Sequence, residues 1–245
     1  MYDIKIIQKV LQDFKSGKNK SQLSREYNIP RPTLRYWIKK DTNGESMTQR
    51  KSDIPIEYII EKIKKNKEMY NYILGIYLGD GHISPNKNSY KLRIVMDSKY
   101  PNLVNETRIC LRNFFESPVS VNSREGCKVI SVFDKNLPKY FPQHGFGKKH
   151  DRKIILSDFQ IENISYSDLL KGLWLTDGSY YLRKNKYEAY NFTNKSIDIV
   201  SIFEKCLNSL SISYRKRVKN DGIWVIEVAK KSEVNKMKSI VELKS

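Results

Sequence analysis

The chain has 245 residues, 39% hydrophobic and 29% charged, a balance that belongs to a folded protein with one large core or two smaller ones plus a small appended module. No apolar run reaches the roughly 20 residues a bilayer crossing needs, and the start Met1-Tyr2-Asp3-Ile4-Lys5 lacks a secretory apolar stretch. Membrane and export roles fall away, and a cytoplasmic or organelle-matrix location is expected. Lysine plus arginine number 45 against 27 aspartates and glutamates, a net charge of +18 that draws polyanions such as nucleic acid, although the richness in Lys, Ile, Asn and Tyr is also what an AT-biased genome imposes. Cys110, Cys127 and Cys206 are odd in number and without metal-ligand spacing, which argues against a disulfide framework or a zinc ribbon.

Residues 1–40 read as a small all-α domain. Ile4, Ile7, Val10, Leu11 and Phe14 recur at helical spacing until Ser16-Gly17. Asn19 is placed to cap a short helix carrying Leu23 and Tyr27, which ends at Asn28, a residue tolerant of the left-handed conformation. A third helix is predicted from Pro30-Arg31-Pro32-Thr33 to Lys39-Lys40. With Leu34, Trp37 and Ile38 turned inward, Arg31, Thr33, Arg35, Tyr36 and Lys39 are left for a DNA major groove, or for a solvated basic face. The unit resembles the helix-turn-helix of resolvases and transposases. Residues 41–55 have linker composition, and helical spacing resumes at Ile56, Ile59, Ile60 and Ile63.

An internal repeat organises the remainder. Ile73-Leu74-Gly75-Ile76-Tyr77-Leu78-Gly79-Asp80-Gly81 matches Leu170-Lys171-Gly172-Leu173-Trp174-Leu175-Thr176-Asp177-Gly178. At a near-constant offset Cys110-Leu111 falls on Cys206-Leu207, Val129-Ile130 on Val225-Ile226, and Lys135 on Lys231. Each half then follows the same order: a helix ending in Asp-Gly, two strands, a helix, two strands and a final helix. The expected fold is α+β, two pseudo-symmetric αββαββα halves (56–150 and 151–245) with helices on one face of antiparallel sheets.

The two nonapeptides carry the chemistry. Gly75 and Gly79, like Gly172 and Thr176, stand four apart on one helix face, a small-residue seam along which two backbones can approach. Asp80 and Asp177 close their helices, each followed by glycine, a natural C-terminal stop. Negative charge at a helix C-terminus opposes the dipole, so two such acids meeting across a seam call for a cation between them. Carboxylates with the helix-end carbonyls at Gly79 and Thr176 suit Mg²⁺ or Mn²⁺. Taken singly, either segment also reads as an ordinary turn after a buried helix.

These residues, with His144-Gly145-Phe146-Gly147-Lys148-Lys149-His150 between the motifs, resemble the LAGLIDADG homing endonuclease family in its single-chain, two-motif form, over about residues 56 to 245. The sixth motif position, often acidic there, is Leu78 and Leu175 here. The resemblance implies a β saddle lying in the major groove of double-stranded DNA, a monomer with internal twofold symmetry, and Asp80 and Asp177 as metal ligands for phosphodiester hydrolysis in intron homing. It further implies a basic residue near each half's final helix, matched by Lys135 and Lys231, with Lys230 adjacent. On the saddle, Lys91 and Arg93 would face DNA by strand alternation, as would Asn191 and Thr193, and Arg215, Arg217 and Lys219. Lys148 and Lys149 would face the DNA backbone or solvent with His144 and His150, and a general-base role for His82 is disfavoured because Ser179 replaces it in the second half. Relatives that regulate transcription or assist RNA splicing are the alternative roles.

Overall fold

The structure, a computed structural model, describes residues 2, 4–42, 54–145, 147–184 and 186–241; positions 43–53 of the expected linker lie outside the described residues. Two compact units result, Met1–Ser52 and Asp53–Ser245.

The first unit is built from α1 (Ile4–Lys15), α2 (Lys20–Glu26) and α3 (Arg31–Thr42). Asn19 caps α2: its side chain accepts from the backbone of Ser21 at 2.9 Å and Gln22 at 3.0 Å, while Gln22 accepts in return from the Asn19 N–H at 2.9 Å. A reciprocal cap of this kind stabilises a short helix by about 1 kcal/mol. Asn28 turns the chain in the left-handed region at φ 50°. Val10, Leu11, Leu23, Ile29, Leu34, Trp37 and Ile38 form the core, which explains why the opposite face of α3 is polar: Arg31, Arg35, Tyr36 and Lys39 are exposed and Thr33 is half-buried.

In the second unit, α4 (Ile56–Lys65) leads into the first half: α5 (Lys67–Asp80), β1 (Gly81–Asn86), β2 (Ser89–Asp97), α6 (Pro101–Phe115), β3 (Val119–Arg124), β4 (Cys127–Asp134) and α7 (Leu137–Tyr140). After α8 (Asp158–Glu162) the order recurs as α9 (Tyr166–Asp177), β5 (Gly178–Arg183), β6 (Tyr187–Asn194), α10 (Ile197–Ser209), β7 (Arg215–Val218), β8 (Trp224–Val228) and α11 (Lys231–Ile240). Both sheets are four-stranded and antiparallel, with equivalent orders β1-β2-β4-β3 and β5-β6-β8-β7. The fold is α+β.

Alternation along the strands sets the two faces of each sheet. Leu92, Ile94 and Met96 of β2 and Tyr190 and Phe192 of β6 are buried in one continuous core with the helices, and Phe192 stacks on Phe203 of α10 at 4.0 Å. The opposite faces carry Lys91 and Arg93 in the first sheet, and Asn191 and Thr193 beside Arg215 and Arg217 in the second, the register pairing Asn191 with Glu227 and Glu227 with Arg215.

Helices α5 and α9 pack backbone to backbone at Gly75 and Gly172, with only the Thr176 side chain facing Gly79. A Cβ built on Gly172 would stand 2.3 Å from the Tyr72 carbonyl oxygen, one on Gly75 2.6 Å from that of Leu169, and one on Gly79 2.0 Å from the Thr176 hydroxyl. The glycines that end these helices differ from expectation. Gly81 and Gly178 are extended, at φ −85° and −93°, so neither is a left-handed stop. Their role is close approach, since a Cβ would fall 2.5 Å from Tyr77 Cα and 2.4 Å from the Trp174 oxygen.

Candidate active site

The seam fixes where the two acids emerge. Asp80 is the last residue of α5 and is exposed; Asp177 is the last of α9 and is half-buried. Because β5 starts at Gly178 opposite Phe192, the next residues of β6 lie against Asp177. Asn194 donates to its carboxylate at 2.8 Å and Thr193 to its carbonyl at 3.4 Å. Asn194 was not foreseen from the sequence; the pairing of β5 with β6 is the signal that finds it.

The end of α5 is held differently. Lys149 donates from one ammonium to the carbonyls of Tyr77, Leu78 (2.9 Å) and Gly79 (2.8 Å), the last acceptors of the helix. The Tyr77 carbonyl also accepts from the Gly81 N–H, whereas those of Leu78 and Gly79 lie in the last turn, where helix carbonyls lack an intrahelical donor, and a cation there also offsets the dipole. Lys149 therefore departs from the sequence expectation of an outward, DNA-facing lysine: it is a helix cap. Burial pulls its pKa down to about 8, while Asp177 and Asp80 both act to raise it. The two acids emerge at a common end of the seam because Gly79 and Thr176, the residues directly before them, are in contact.

A loop built for the purpose delivers Lys149. Arg152 gathers the carbonyls of Gln143 (3.0 Å), Gly145 and Gly147 (3.1 Å), closing residues 143–152 on themselves. Downstream, the Ile154 N–H donates to Asp198 in the first turn of α10 at 2.8 Å, and Gln143 bonds the buried Gln160, which donates to Tyr70 of α5 at 2.7 Å. Beneath the loop lies an open cleft of about 390 Å³. All three histidines of the chain, His82, His144 and His150, line it with Lys148, Lys149 and Arg152, and among the described residues that line it there is no carboxylate. His82 is held below its usual pKa by burial and then by Arg93, Lys149 and Arg152, and His144 by burial, Arg152 and His82.

Two expected basic residues lie elsewhere. Lys135 lines a cleft with Pro85, Lys87, Asn88, Ser89 and Tyr90 at the tip of the β1–β2 hairpin. Asp80 adjoins the other end of β1, about 16 Å away at the rise of a strand. The physical reason is register: β4 runs past Asp80's end of the sheet at Ile130 and reaches the tip at Asp134, opposite Tyr90. Lys231 behaves alike, as β8 leaves the sheet at Val228 opposite Tyr190 and continues towards the β5–β6 turn, with Lys230 and Lys231 exposed at the start of α11. The basic group at the end of α5 is instead Lys149, with Arg93 paired across from His82 and Arg152 in the loop that carries Lys149.

Among the described residues no three His, Cys, Asp or Glu side chains gather as a metal centre. Two carboxylates of neighbouring helix ends nevertheless fit a magnesium-like ion, which takes one or two protein carboxylates and completes its shell with water and substrate phosphate. Of the expected carbonyl ligands, Gly79 already accepts from Lys149, and the Thr176 hydroxyl turns back to the Leu173 carbonyl at 2.8 Å. Among the described residues no helix is long and apolar enough to cross a membrane.

Residues 166–242, the second motif and its half, match the model of the LAGLIDADG-like domain. Solved structures extend the likeness to most of the chain. The homing endonuclease I-DmoI in complex with DNA and Mn is similar at TM-score 0.52 and 16% identity, covering 71% of this chain and 96% of that one. A variant of it bound to its target DNA in the presence of Mg gives 0.53 and 16%, covering 74% and 97%. The homing endonuclease I-WcaI bound to its DNA recognition sequence gives 0.51 and 17%, covering 84% and 94%. At these identities the likeness is one of fold. No curated protein sequence matches the chain.

Proposed function

We propose that this chain, which carries a LAGLIDADG-like domain in its second half and the LAGLIDADG homing-endonuclease fold over most of its length, is a site-specific, metal-dependent endonuclease of double-stranded DNA. The observation that carries the reading is that Asp80 and Asp177 end two helices that touch along their length, from Gly75 against Gly172 to Gly79 against Thr176, the residues directly before the two acids. A bound Mg²⁺ or Mn²⁺ would supply Lewis-acid polarisation of the phosphate and an activated water. The residues of the chain do the rest: Asp80 and Asp177 hold the metal, Asn194 fixes the Asp177 carboxylate, and Arg93 and Arg152 set a positive field where the phosphate charge develops. Both acids come from one chain, so the unit acts as a monomer.

DNA lies along the outward sheet faces. Lys91 and Arg93, then Asn191, Thr193, Arg215 and Arg217 with Lys219 just beyond β7, meet base edges and phosphates of the major groove, and exposed Lys148 meets the backbone. The first unit adds a second contact as a helix-turn-helix, presenting Arg31, Thr33, Arg35, Tyr36 and Lys39. Deleting residues 1–45 should blur site choice while leaving hydrolysis intact; loss of all turnover would contradict that division of labour.

The test is to incubate the full chain with genomic DNA and Mg²⁺ and to map every new end. Paired breaks at a defined site, absent with Asp80→Asn, are expected. Tight, specific binding without a break at any site would overturn the enzyme reading in favour of a DNA-binding regulator.

A further inference from the structure

A motif end that is to receive a divalent cation already contains a monovalent one. The Lys149 ammonium sits on the Gly79 carbonyl at 2.8 Å and the Leu78 carbonyl at 2.9 Å, directly before Asp80 in the chain, and it feels both carboxylates. The final residue of α9 is met by the neutral side chains of Asn194 and Thr193. The position is built: Arg152 closes the 143–152 loop through three carbonyls, and the Lys149 ammonium also lies 5.1 Å from the Tyr77 ring centroid.

We infer that Lys149 is a resident counter-cation, a positioning residue that holds the first motif end and the two converging acids in the metal-free protein, and that an entering divalent ion displaces it from the Gly79 carbonyl. The physics is competition. An ammonium and a divalent ion drawn to the same carboxylates repel each other, and both seek the same carbonyl lone pairs. Before metal arrives, the lysine adds positive charge at the end of the seam from which both acids emerge; afterwards its charge lies beside the basic cleft, where a DNA phosphate can take it. This inference rests on the metal-dependent reading of the site.

The experiment uses the full chain with Ca²⁺ as the probe, in the absence of DNA, and follows binding by calorimetry. Lys149→Gln keeps a donor for the carbonyls and removes the charge; calcium affinity should rise about ten-fold, as expected when one nearby unit of like charge is removed from a partly screened site. Lys149→Arg, which keeps the charge, should stay within about two-fold of the parent. An unchanged affinity in Lys149→Gln would overturn the inference, as would a fall. Should Lys149→Gln not fold, the parent chain gives the answer through amine acetylation read by mass spectrometry: labelling of Lys149 should rise on adding Ca²⁺, and labelling that stays constant would overturn displacement. Failure of the underlying reading looks different. If Asp80→Asn and Asp177→Asn both bind Ca²⁺ as the parent does, the metal site itself is misplaced, whatever Lys149 does.

Discussion

The two motif ends are near-copies in sequence and unlike in support. At the first, α5 ends in an exposed Asp80 and its carbonyls are taken by a lysine brought from a loop some seventy residues downstream; at the second, α9 ends in a half-buried Asp177 held by an amide and a hydroxyl from the adjoining strand. Duplication explains the shared helices, sheets and acids. It does not explain the caps, because the loop that carries Lys149 lies between the halves and has no counterpart within the described second half. A repeated scaffold thus supports its two helix ends with different donors, a lysine ammonium on the carbonyls of α5 and a strand amide and hydroxyl on the last residue of α9.

The largest effects should come from the feature the ends share. Asp80→Asn and Asp177→Asn should each lower double-strand cleavage by about 10³-fold or more while DNA affinity in Ca²⁺ changes little, since only charge at the reacting centre is lost. Full activity in either variant would break the equivalence of the two acids. Next comes the seam: Gly172→Ala drives a Cβ towards the Tyr72 oxygen and should cost about 3 kcal/mol in urea unfolding. Gly79→Ala meets the Thr176 side chain instead, so the double change with Thr176→Gly should recover most of the loss, a recovery Gly172→Ala cannot have. Smaller still, Asn194→Ala should weaken metal binding about ten-fold through the Asp177 carboxylate alone. Smallest, Lys135→Ala and Lys231→Ala should alter cleavage by less than about two-fold, because both follow strands that run away from the motif ends towards the hairpin tips of their sheets. A large loss in cleavage there would restore them as catalytic residues.

What the sequence made legible was periodic. Small residues four apart gave the seam, strict alternation gave the faces that carry Arg93 and Asn191, and an acid at the wrong end of a helix marked Asp80 and Asp177. What it hid was register and closure. Lys135 and Lys231 match each other by repeat, yet equivalence between halves says nothing of distance to the acid, which the strand register sets. Lys149 looked like one more basic loop residue among Lys148, Arg152 and Lys153; only the folding of residues 143–152 around the Arg152 guanidinium turns it onto α5. Asn194 sits one residue past the expected Thr193, and its partner is a residue on another element.

The most direct test of convergence is an anomalous-diffraction map of crystals of the full chain grown with Ca²⁺. One calcium peak coordinated by carboxylate oxygens from both Asp80 and Asp177 is the expected result. Calcium bound by neither acid, with the two carboxylates turned to separate surroundings, would contradict it.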